Sequence, residues 1–267
     1  MSPLVLALSG WGIMVVVMSL LWYYQYKGGD AGIVDVAWAA GVGLLSVYFA
    51  VLSQGDSQRR IVVGVLAGIW AFRLSGHIFY RVLKMPEDGR YQELKETKGD
   101  GSQAWLFKFF QLQAFWSMLF ALPMLNVATN SEPLGLTDWI GIGVWLVASL
   151  GESIADKQLN SFRLNPDNQG KVCRDGLWYY SRHPNYFFEW IHWWGYVLLA
   201  FGGPLWWLNL LGPICMLWFL TKVTGVPPTE RQALKSRGDA YREYQRTTSV
   251  FFPWPPKADA AATGSDD

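Results

Sequence analysis

Apolar residues in this chain come in blocks long enough to cross a bilayer, and nothing else in it constrains the fold as tightly. A helix rises about 1.5 Å per residue, so crossing the hydrocarbon core takes about 20 apolar residues. Seven blocks approach that length: Pro3–Tyr24, Ile33–Leu52, Ile61–Tyr80, Ala104–Val127, Leu136–Ala155, Tyr186–Phe201 and Leu205–Thr221. The sixth is short, and its Trp190, Trp193 and Trp194 suit an interface as well as a core. With 51% hydrophobic and 16% charged residues, a soluble domain of 267 residues cannot bury seven such segments. The expected fold is all-α, a polytopic membrane protein with about seven transmembrane helices.

Lys and Arg placement orients it. With the N-terminus outside, the inner connections hold Lys27; Lys84, Arg90, Lys95 and Lys98; and Lys157, Arg163, Lys171, Arg174 and Arg182. The tail adds Lys222, Arg231, Lys235, Arg237, Arg242 and Arg246, whereas the outer loops hold only Arg59 and Arg60. This is the positive-inside pattern, so the long polar connections and the C-terminus are expected to be cytoplasmic. Pro3–Tyr24 lacks a basic flank and is too long for a signal core, so it reads as a retained helix.

Residues 1–256 read as one membrane-embedded domain, with 257–267 (KADAAATGSDD) as a disordered tail. The two cysteines fall in different environments, and the three histidines are too scattered for a metal site. No basic cluster interleaved with aromatics points to nucleic acid.

The chemistry-bearing residues gather late in the chain. Glu152 and Asp156 are four apart, so both carboxylates lie on one helical face. They either line a polar cavity or form a solvated helix end. Arg163, Lys171, Arg174 and several amides follow, groups suited to phosphate. Then come Arg182, His183, Asn185 and Glu189 at the mouth of an apolar run, where polar groups are costly and usually functional. An amide and a carboxylate four apart can read a carboxamide or an amine; Asn185 can also be a simple cap beside Pro184. With no Walker A and no G-x-G-x-x-G after a strand, any nucleotide needs a different kind of site.

These residues carry a resemblance. Asp156 and Arg163, the run Gly176–Trp190 (GLWYYSRHPNYFFEW), Trp193–Gly195, Gly225–Glu230 (GVPPTE), Tyr241 and Tyr244, and a terminal FFP resemble the steroid 5-alpha-reductase C-terminal domain. More narrowly they resemble its bacterial DUF1295 branch, as do Asp35 with Trp38 and the run Glu87–Tyr91 (EDGRY) upstream. The resemblance implies a seven-helix reductase of the bacterial inner membrane, using NADPH to reduce a carbon–carbon double bond conjugated to a ketone in a steroid or other lipid-like substrate. The cofactor part would span about 152–253 on the cytoplasmic side. By position, Asp156, Arg163, Asn185 and Glu189 match cofactor-contacting residues of that family; Arg174 and Tyr244 are further matches, and Glu152 stands where the family has an asparagine. Arg182 and His183 are counted with them as cofactor-binding.

In such a reaction charge develops on the ketone oxygen, so a positioned donor is needed there. Asp35 with His77 or Tyr80 is the expected catalytic group, although Asp35 reads equally well as a helix-start residue. Two other classes compete. Isoprenylcysteine-type methyltransferases, which use S-adenosylmethionine, share the Arg-His-Pro-x-Tyr pattern and a later Glu. A non-enzymatic lipid-binding membrane protein would share the apolar helices but need no polar mouth.

Overall fold

The structure is a computed structural model and describes residues 1–257, excepting the side chains of Arg90 and Asp100. The expected disordered tail therefore lies, but for Lys257, outside the described residues. Among these the regular structure is helical throughout. The chain divides into two compact units, Met1–Asp138 with Leu199–Leu211, and Trp139–Leu198 with Gly212 onward.

The first unit contains α1 (Pro3–Tyr26), α2 (Ile33–Leu52), α3 (Ser57–Lys84), α4 (Gly89–Lys98) and α5 (Ser102–Thr129). Ser2 caps α1 ahead of Pro3, and the Asp56 carboxylate caps α3 by accepting from the amides of Gln58 and Arg59. Each cap satisfies amides that the first turn cannot pair internally. α2 packs on α3 and α5, and α1 on α5. Their shared core includes Leu6, Met14, Met18, Phe49, Leu106 and Phe110. Glycine sets the closest approach: a Cβ on Gly43 would lie 2.1 Å from the Ala71 Cβ, so no larger residue fits between α2 and α3 there.

One end of this unit is tied by a buried ion pair. Arg59, 4% exposed, donates to both carboxylate oxygens of Asp138, at 2.6 and 2.8 Å, and to the carbonyls of Glu132, Pro133 and Leu199. All of its guanidinium donors are thereby used. Arg60 donates to the carbonyls of Ala50 and Val51 at the end of α2.

The second unit holds most of α6 (Leu136–Leu164), then α7 (Leu177–Tyr180), most of α8 (Pro184–Ala200), most of α9 (Leu211–Trp218) and α10 (Val226–Thr247). α6 and α8 run antiparallel. A Cβ on Gly195 would meet the Gly141 carbonyl at 2.9 Å, and one on Gly151 the Phe188 ring at 2.5 Å; Asn185 meets Asp156 beyond them.

Among the described residues, five stretches are long and apolar enough to cross a membrane: α1, α2, α3, α5 and Trp206–Thr247, the last by its apolar part ahead of the polar α10. Large apolar side chains of α1, among them Leu4, Leu8, Val16 and Leu20, stand exposed, as lipid contact requires. The protein is a multi-pass membrane protein. Two of the seven spans expected from the sequence, α6 and α8, fall outside these five by length or composition alone, and with both crossing the positive-inside arrangement is kept. α8 has 17 residues, about 25 Å of helix, at the short end of what crosses the hydrocarbon. α6 is interrupted by Asp138, Glu152 and Asp156. The last apolar segment is not one regular helix: a 3-10 stretch (Trp206–Leu210), α9 and a π stretch (Phe219–Val223) succeed one another, and the polar α10 follows.

Candidate functional site

The second unit gathers nearly all the late polar residues, in two different roles. The first is a closed network around Glu230. Arg182 donates from Nε to Glu230 Oε1 at 2.7 Å and from Nη1 to the carbonyls of Gln245 and Thr248. Gln245 Nε2 donates to Glu230 Oε2 at 2.8 Å, His183 Nε2 lies 3.3 Å from Oε1, and the Tyr241 hydroxyl lies 3.4 Å from it. The Arg182 amide donates to the Ser249 carbonyl and the Ser181 hydroxyl to the Phe251 carbonyl. Tyr244, 2% exposed, donates to the Trp178 carbonyl, with the Ser181 carbonyl at 3.2 Å. These bonds fasten α10 and the segment after it to the turn between α7 and α8.

Burial drives the Glu230 carboxyl upward, but donation from His183, Arg182 and Gln245 outweighs it and holds the pKa at about 2. His183 moves below its ordinary value because burial outweighs the attraction of Glu230. A neutral imidazole with its proton on Nε2 therefore fits the contact to Glu230. Burial raises Tyr241 and Tyr244 further above the ordinary phenol range.

The second role belongs to the facing polar ends of α6 and α8. Asn185 Nδ2 donates to Asp156 Oδ1 at 3.1 Å. Glu152 and Glu189, each 7% exposed, sit at nearly the same level of the antiparallel pair. Glu189 Oε1 accepts from Trp193 Nε1 at 3.2 Å, and His192 Nδ1 donates to the Glu189 carbonyl at 2.6 Å. Arg163 lies two turns beyond Asp156 on the same face of α6. Its pKa is lowered, first by desolvation and next by the Arg237 guanidinium, while Cys173, Tyr186 and Asp156 pull the other way. Arg174 donates to Glu243 at 3.1 Å and lies over the Tyr244 ring.

The structure thus separates residues that the sequence presents as one run. Asn185, Asp156, Glu152, Glu189 and Arg163 belong to the α6–α8 face. Arg182, His183 and Tyr244 face the polypeptide itself, held by Glu230 and backbone carbonyls. Glu230, Tyr241, Gln245 and Arg237 were outside the expected site. Their signal was helical spacing along α10, obscured by the break at Gly238, whose φ of 51° interrupts the helix.

In the first unit, Asp35 accepts a hydrogen bond from a residue outside the expected catalytic set. Tyr91, 3% exposed, donates its hydroxyl to Asp35 Oδ1 at 3.0 Å. Glu87 accepts from the Ala31 amide at 2.7 Å and pairs with Lys95. The Glu87–Tyr91 run thus folds over the start of α2. Tyr80 is 66% exposed and His77 is also exposed, both on α3.

The family model described as "Protein of unknown function (DUF1295)" matches residues 21–248. The chain belongs to the DUF1295 family. Two relatives come from Schizosaccharomyces pombe (strain 972). Uncharacterized protein C9.08c is 29% identical over 140 residues, 43% of this chain and 50% of that protein. Uncharacterized protein C594.04c is 24% identical over 269 residues, 88% of this chain and 76% of that protein. The chain therefore spans about half the length of the first of these relatives. No solved structure matches it.

Proposed function

We infer that this DUF1295 protein is a membrane NADPH-dependent reductase of a carbon–carbon double bond conjugated to a ketone in a lipid-like substrate, such as a steroid. The observation that carries this reading is the division of the late polar residues between a closed network and a ligand-type face. Arg182, His183 and Glu230, the residues shared with the isoprenylcysteine methyltransferase pattern, are occupied with one another and with backbone carbonyls. The residues matching the reductase pattern, Asp156, Asn185 and Glu189, meet instead on the α6–α8 face.

The donor set suits the cofactor. Asn185 and Glu189 offer an amide and a carboxylate for a nicotinamide carboxamide, and the Arg163 cation suits phosphate. When bound, NADPH supplies the hydride. The chain's own residues orient it and keep water away from the reacting carbon. A donor must also stabilise charge growing on the ketone oxygen. Asp35, half-buried and hydrogen-bonded to Tyr91, is an acid–phenol pair suited to that role beside the alternatives of Asp35 with Tyr80 or His77.

Calorimetric titration of the detergent-purified protein with NADPH, NADP⁺ and S-adenosylmethionine tests the reading, beside Asn185→Ala. NADPH is expected to bind, about tenfold weaker in the variant, the scale of one lost hydrogen bond to a charged group. Binding of S-adenosylmethionine without NADPH would replace this reading with a methyltransferase. Binding of neither would leave a lipid-binding protein.

A further inference from the structure

A second polar surface lies on the opposite side of α6. A groove of about 570 Å³ is lined by residues including Ile154, Lys157, Gln158, Ser161, Asn165 and Asp175. At about 100° per residue, Glu152, Asp156 and Arg163 fall within one narrow sector of the helix; Ile154, Lys157, Gln158 and Ser161 fall on the other side. That outer side continues along α6 as Val147, Leu150 and Ile154, which are 64, 63 and 50% exposed. An exposed apolar stripe on a membrane protein faces acyl chains, and here it runs directly into the groove.

The polar groups of the groove are oriented. Gln158 Oε1 already accepts from the Leu177 amide at 3.0 Å, and Asn165 Oδ1 from the Asp167 amide at 3.0 Å. Each carboxamide therefore presents its NH₂ group. With the Lys157 ammonium and the Ser161 hydroxyl, the groove offers donors, the set that holds a phosphate oxygen. Asp175 supplies one carboxylate on the same wall. Among the described residues, neither Lys157 nor Asp175 has an ion-pair partner.

We propose that this groove binds an aminophospholipid: the phosphodiester at Lys157 and the amide donors, the primary ammonium at Asp175, and the acyl chains along Val147, Leu150 and Ile154. Charges of both signs match a zwitterionic headgroup. A quaternary choline has no N–H to donate to Asp175, and phosphatidylglycerol has no cation, so both bind more weakly. The assignment is independent of the reductase reading.

Native mass spectrometry of the full chain, released from micelles doped equally with phosphatidylethanolamine, phosphatidylcholine and phosphatidylglycerol, reads the site directly. Phosphatidylethanolamine adducts are expected to dominate. Lys157→Ala is expected to lower phosphatidylethanolamine retention about tenfold, the scale of one charge-assisted hydrogen bond. Asp175→Asn is expected to abolish the preference while leaving some lipid bound. Both side chains are exposed, and thermal unfolding of each variant checks that the fold survives. In the wild type, added phosphatidylethanolamine is expected to raise the melting temperature, and in Lys157→Ala it is not. Equal adducts in wild type and Lys157→Ala, or a preference for phosphatidylglycerol, would overturn the proposal. So would complete displacement of the lipid by millimolar inorganic phosphate, which would mark a site for free phosphate.

Discussion

Glu230 is the residue on which the second unit's internal wiring converges, and its loss leaves Arg182 buried beside carbonyls with no anion. Removing one partner of a buried pair costs about 3 kcal/mol. Glu230→Ala is therefore expected to lower stability by that order in chemical denaturation, and Glu230→Gln by less. The same site sets an acid limit. Glu230 titrates at about 2 in the fold against an ordinary 4.5, so its stabilisation is complete above 4.5 and is lost as pH falls toward 2. His183 is also depressed, so the folded state binds fewer protons than the unfolded chain below about 6.5, and acid destabilises through it too. Thermal unfolding from pH 8 to 4 should show a falling melting temperature whose upper arm disappears in His183→Gln. Tyr91 belongs to this scale as well. If the reductase reading holds, Tyr91→Phe lowers turnover about a hundredfold with NADPH affinity unchanged, while Tyr80→Phe and His77→Ala leave turnover intact. The reverse ranking in steady-state assays would return the donor role to α3.

At the scale of elements, helix contact in the first unit depends on small residues. Gly43 admits Ala71 so closely that Gly43→Leu must push α2 from α3, at a cost of about 2 kcal/mol by overpacking. Gly68→Ala, whose added methyl would meet only Val47 at 3.8 Å, is the control expected to be tolerated. Thermal unfolding in one detergent compares the two. α6 shows why faces matter more than runs. Its polar end is a single stretch in the sequence, yet Asp156 turns toward α8 and Ser161 toward the groove. The pairing of Glu152 with Asp156 and of Asn185 with Glu189 was legible from spacing alone. That α6 and α8 then face each other was not, because it depends on Gly141, Gly151, Phe188 and Gly195 meeting across an antiparallel pair.

For the whole molecule, the positive-inside pattern proposes a side of the membrane, and the structure shows what holds its two outer arginines. Arg59 is paired with Asp138, and Arg60, still charged, is held by the carbonyls at the end of α2. In a cysteine-free background, Gln54→Cys is expected to react with a membrane-impermeant maleimide in intact cells, and Lys157→Cys only after permeabilisation. Labelling of Lys157→Cys in intact cells would invert the topology.

Composition and block length by themselves determined that this chain is a helical, multi-pass membrane protein, because apolar stretches of that length have no other stable setting. Motif order placed it in its family, and helical periodicity paired its carboxylates. Only the tertiary structure decided that Arg182 and His183 serve Glu230, 48 and 47 residues away, and that Asp35 meets Tyr91. Those partners lie on other elements, and a buried charge or phenol is satisfied by whichever group the packing brings within reach. Spacing along one helix carries no record of that choice.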